Sequence, residues 1–139
     1  MMSQSTGIAA VCILLLFTLT SCASQVTSSD TPPSGSALYA ANCAGCHGRY
    51  ADGTGPVSSD IAVPDLRYLT ADNGGVFPGT QIVSVIDGRS TVKAHIGRQM
   101  PVWGDVFTVM EGGNPSAEAH VTAKIQALVG YLESIQQSR

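Results

Sequence analysis

The apolar positions along the chain form one unbroken run near the N-terminus and, further on, stripes at helical spacing. Ile8 to Leu19 reads Ile-Ala-Ala-Val-Cys-Ile-Leu-Leu-Leu-Phe-Thr-Leu, of export-signal length and too short for a comfortable membrane span. Ala23 to Ser36 is rich in Ser and Thr, carries Pro32-Pro33, and has too little apolar surface to order itself. It predicts a flexible tether reaching on the order of 20 Å. Good helix formers run from Gly35 to Asn42, with Ser36 as the expected N-cap and Leu38 and Tyr39 on the apolar face. A middle helix is predicted from Thr80, as cap, to Gly88, as stop, with Ile82, Val85 and Ile86 inward. Asn114-Pro115 opens the last helix, whose stripe of Val121, Ile125, Leu128, Leu132 and Ile135 must face a core. The intervening stretches, such as Asp52-Gly53-Thr54-Gly55-Pro56 and Asp72-Asn73-Gly74-Gly75, are loop-forming, and no segment alternates as a strand does. The pattern therefore predicts an all-α fold with long loops, and such loops need a surface to pack against.

Length and charge narrow the picture. The 139 residues allow one small folded domain. The seven Lys and Arg residues are scattered and the net charge is −3, which excludes a nucleic-acid-binding surface. The expected organisation is a signal peptide over 1–21, a polar tether over 22–34 and a folded domain over 35–139. Leu19-Thr20-Ser21-Cys22 resembles a bacterial lipobox, which implies cleavage before Cys22 and lipid attachment to its sulfur. Cleavage after Ala23, leaving a soluble periplasmic protein, is the alternative. Met1 to Gly7 contains no Lys or Arg, a departure from the usual positive start of a signal peptide.

The chemistry is concentrated in Cys43-Ala44-Gly45-Cys46-His47, the C-x-x-C-H signature of covalent haem attachment. Two cysteines three positions apart on a helical turn project in similar directions, so both can form thioethers, and His47 follows as proximal iron ligand. A thioredoxin-like pair would need a preceding strand, and a zinc site a second ligand pair; the sequence offers neither. The other two cysteines are accounted for, Cys12 in the signal and Cys22 in the lipobox. The sixth ligand is expected to be Met100, in the loop-like Gly97-Arg98-Gln99-Met100-Pro101-Val102-Trp103-Gly104, where Pro101 favours an extended Met100. Met110 reads as a core gap-filler, and Trp103 as core close to the haem. His95 and His120 are the alternative ligands. Arg49, Arg67, Arg89 and Arg98 are possible propionate partners, none of them singled out.

Together these residues resemble a class I c-type cytochrome over about Gly35 to Gln136. Gly35, Leu38 and Tyr39 match the family's first-helix pattern, and Leu128-Val129-Gly130-Tyr131-Leu132 its last. The resemblance implies that Gly35 permits a close crossing of these helices. Gly55-Pro56 resembles the family's Gly-Pro, implying that the Pro56 carbonyl accepts the other ring N–H of His47. Met100-Pro101 with Trp103-Gly104 resembles the axial loop of cytochrome modules in bacterial oxidases and dehydrogenases. The chain departs from the family in lacking its lysine ring and in a long Gly-rich stretch from Val102 to Ser116. The resemblance implies one covalently bound haem c per chain, with no enzymatic activity. It also implies single-electron transfer between respiratory or dehydrogenase partners on the periplasmic side of a bacterial membrane, with Cys22 as lipid anchor. The alternative is a peroxidase-like or gas-binding haem protein with an open sixth position. Oligomeric state and the identity of the partners stay open.

Overall fold

The computed structural model describes residues 33–57, 62–89 and 100–139, all within the unit Thr31–Arg139. The expectations for the signal peptide, the Cys22 anchor and most of the tether, and those for His95 and Arg98, lie outside the described residues. Helix α1 (Gly35–Asn42) is followed across Cys43 by α2 (Ala44–His47), a 3₁₀ turn (Leu66–Tyr68) running into α3 (Leu69–Asp72), α4 (Gly79–Asp87), α5 (Trp103–Met110) and α6 (Ala117–Ser134). No strand occurs among the described residues, as expected for the all-α class I cytochrome fold.

The caps differ in detail from the sequence reading. Ser34, two residues earlier than expected, caps α1 by accepting from the Ala37 N–H at 3.3 Å. The residue before α4 is Pro78 rather than Thr80, with no side-chain cap. At α6 the Asn114 side chain accepts from the Ser116 N–H at 3.0 Å, and the helix starts at Ala117. An Asn or Ser in a turn satisfies donors that a helix N-terminus leaves without partners, so caps slide easily between neighbouring polar residues.

A larger difference is α5. The stretch read as a Gly-rich insertion folds as a helix that sends Phe107, 1% exposed, into the core. Met110, expected inside, is 62% exposed at the end of that helix.

Helix α6 is the spine of the molecule and packs on α1, α4 and α5. Its stripe Val121, Ile125, Leu128 and Leu132 is buried, joined by Val129. Leu38 and Tyr39 of α1 and Ile86 of α4 complete this centre. On α4 the residues against the core are Ile82, Val83 and Ile86, so Val83 takes the place expected of Val85. Burying each large aliphatic or aromatic side chain contributes roughly 1.5–3 kcal/mol. The α1–α6 crossing is unusually tight: a methyl group at Gly35 would fall on the Ala127 carbonyl oxygen and 2.8 Å from Tyr131 Cβ. Tyr39 and Tyr131 meet beside it with ring centroids 5.2 Å apart.

Candidate haem-binding site

Cys43 caps both α1 and α2 and links them by backbone hydrogen bonds on either side. Its N–H donates to the Tyr39 carbonyl at 2.9 Å, and the His47 N–H donates to the Cys43 carbonyl, also at 2.9 Å. The five motif residues thus form one helical turn anchored on α1, and both cysteines are free thiols at half-buried positions. Burial, then the neighbouring Cys46, pushes the Cys43 thiol up to about 11. At neutral pH it is protonated and a weak nucleophile by itself.

His47 is half-buried. Burial holds its imidazole below the usual range, opposed by the Pro64 carbonyl, so the neutral form that can ligate a metal is favoured. Nδ1 is fully buried and closes no hydrogen bond of normal geometry. Leaving such a group without a partner costs about 1–3 kcal/mol. An imidazole that burial holds toward its neutral form, directly after two thiols on one turn, is the donor set that covalent haem attachment requires.

The loop after His47 folds back beneath the motif. Gly53 N–H donates to the His47 carbonyl at 2.9 Å, Val57 N–H to Gly45 at 2.9 Å, and the Tyr39 hydroxyl to Gly48 at 2.8 Å. Gly55 lies so close that a methyl group there would be 2.5 Å from the Cys46 carbonyl. A backbone group acting on the His47 ring is the Pro64 carbonyl, and Pro56 lies at the surface. Leu66 packs against the core near this loop, with its N–H donating to Ala51 at 2.8 Å.

Ala51 anchors this loop in a left-handed conformation, φ 60°, while fully buried. Such a conformation costs a non-glycine residue about 1–2 kcal/mol, and a β-branched residue more. Ala51→Val is expected to lower the melting temperature of the haem-loaded protein by roughly 10 °C, through about 2 kcal/mol of strain and overpacking. Ala51→Gly should stay within a few degrees of wild type, because relief of strain offsets the lost methyl. Equal melting temperatures for the Val and Gly variants would contradict this account.

Met100 is half-buried and packs, like Cys43, Ala44 and Trp103, against the central hydrophobic cluster. Trp103 opens α5 and stacks on Phe107 at 5.5 Å, in the core position expected of it. His120 is exposed and pairs with Glu111 at 3.0 Å; Lys124 pairs with the same carboxylate. Among the arginines, Arg67 grips Asp65, Arg89 grips Asp87 and Glu118, and Arg49 lies over the Tyr50 ring at 5.7 Å. Two surface grooves, of about 310 and 490 Å³, lie along Arg49, Tyr50 and Tyr131 and along Phe77, Val83 and Val129. Neither is lined by a cysteine, His47 or Met100, so both are separate from this site.

An all-α domain that presents C-A-G-C-H at the end of its first helix, beneath a long last helix crossing at Gly35, is a class I c-type cytochrome, and its cofactor is covalently bound haem c. Such a domain transfers electrons. Residues 30–132 match the family model described as cytochrome C oxidase, cbb3-type, subunit III, and the chain belongs to that family. Comparison with curated proteins and with solved structures returned no match.

Proposed function

We propose that this protein is a monohaem electron carrier in which Cys43 and Cys46 form the thioethers and His47 and Met100 are the axial ligands. Its haem would pass single electrons between redox proteins outside the cytoplasm, and Cys22 would carry a lipid anchor. The observation that carries the reading is His47: an imidazole that burial holds toward its neutral form, on the turn that also holds both thiols. When bound, the haem supplies a one-electron iron couple, and a methionine–histidine pair sets it at a relatively high potential. The chain's own residues do the rest. Tyr39 pins the Gly48 carbonyl and so fixes the backbone directly after His47. Trp103 and Phe107 seat the segment bearing Met100 on the core. With His47 and Met100 both holding the haem, no position would be left for a substrate, which favours electron transfer over catalysis.

The experiment is an absorption spectrum of the haem-loaded protein. Oxidised wild type is expected to show the weak red band of methionine-bound ferric haem. Met100→Ala should abolish it and lower the reduction potential by on the order of 0.1 V or more. Haem without that band in the wild type would sink the Met100 assignment and turn attention to a peroxidase-like or gas-binding role. The anchor is tested separately: mass spectrometry of the mature protein should find a diacylglyceryl-modified Cys22 at its N-terminus, and an unmodified chain starting elsewhere would refute it.

A further inference from the structure

The chain leaves α4 and enters α5 at adjoining points. Helix α4 ends at Gly88, whose φ of 71° turns the next residue away from the helix axis. Arg89 Nε then donates back to Asp87 Oδ1 at 2.6 Å. Its two terminal nitrogens donate side by side to the Glu118 carboxylate at 2.8 and 2.9 Å. Asp87 closes α4 and Glu118 lies in the first turn of α6, where a carboxylate also suits the helix dipole. One guanidinium therefore ties two helices through the bidentate geometry that makes such pairs strong.

The start of α5 touches this cluster directly. Gly104 is buried, and a methyl group there would fall on Asp87 Oδ1 and Arg89 Nε, and 2.8 Å from Arg89 Cδ. Only glycine lets the α5 backbone sit against the clasp. Gly104 is four residues past Met100, and the link between them includes Pro101, with its fixed φ, and the first residue of a helix.

We infer that Asp87, Arg89 and Glu118 form a clasp that fixes the footing of the Met100 segment, with Arg89 as a positioning residue for the axial methionine. The inference rests on the reading of Met100 as ligand. Gly104 rests against Arg89 and Asp87 and is the near end of the short segment Met100–Gly104. With the clasp closed, the start of α5 has a fixed surface to rest on, and the short link restricted by Pro101 carries that placement back to Met100. The side chains are 29% exposed at Arg89 and 58% exposed at Glu118, so the clasp is open to screening by salt.

The test is a titration of the ferric, haem-loaded protein with imidazole, which competes with methionine for the iron, at low and at high ionic strength. Arg89→Gln and Glu118→Gln should each bind imidazole about fivefold more tightly than wild type at low salt. The double variant should bind no more tightly than either single variant, because one clasp is broken in all three. Wild type should approach the variants as salt rises, whereas the variants change little. A purely structural arginine would not produce that salt dependence. If both single variants keep the methionine band and wild-type imidazole affinity, the clasp does not position Met100 and the inference fails. If wild type itself lacks the band, the Met100 reading fails and the clasp's role goes with it. The two failures are thus distinguishable.

Discussion

Serine at both 43 and 46 will leave a chain that loses all of its haem on a denaturing gel, whereas wild type keeps a haem-stained band. A thioether survives denaturation and axial coordination does not, so the assay reads the covalent bonds alone. Each single serine variant should retain a stained band through its remaining thioether, in reduced yield. The chain's other cysteines are Cys12 and Cys22. Staining that persisted in the double variant would move the attachment to one of them and overturn the assignment. His47→Ala separates ligation from attachment: it should keep covalent haem in lower amount but lose the low-spin spectrum of the wild type. The half-buried, neutral thiol at Cys43 also predicts that attachment does not proceed spontaneously at neutral pH and depends on a maturation system.

The second large effect is expected at Gly35. A methyl group there meets the backbone carbonyl of Ala127, which cannot rotate aside as a side chain can. Gly35→Ala must therefore push α1 off α6 and strip packing from Leu38, Tyr39 and Tyr131 together. A loss of about 3 kcal/mol or more is expected, lowering the melting temperature of the haem-loaded protein by more than roughly 10 °C. Ala37→Ser, at an exposed position on the same helix, should change it by no more than a few degrees. If Gly35→Ala melts with the Ala37→Ser control, the tight crossing is not what holds the two helices together.

What the sequence made legible is what short-range chemistry dictates. The spacing of Val121, Ile125, Leu128 and Leu132 could satisfy only a helix with one buried face, and those residues are buried. The haem motif was readable because its residues act together on a single turn. Helix α5 was missed because Pro101, Gly104, Gly112 and Gly113 punctuate the stretch as a loop would. Tertiary contact decided otherwise: Gly104 is there for close approach to Asp87 and Arg89, and Phe107 supplies the buried anchor. Pro64 was missed for a related reason, since its action on His47 depends on how the chain returns to the motif and not on its distance along the chain. The Arg89–Glu118 pair joins residues far apart in sequence, and no local pattern announces it. Met110 shows the converse. Its apolar character suggested the interior, but the register of α5 turns it outward.

The α1–α6 crossing also sets an order of events during biosynthesis. Its two halves come from opposite ends of the folded domain, so the latch at Gly35 waits until the last helix has been made. Contacts between distant parts of a chain form late, because a long loop must close before they are rewarded. A chain that emerges N-terminus first presents Cys43, Cys46 and His47 long before Ala127 and Tyr131 exist to cover their helix. The haem motif thus has an interval as an accessible peptide, suited to modification, and arrival of the C-terminal helix ends it.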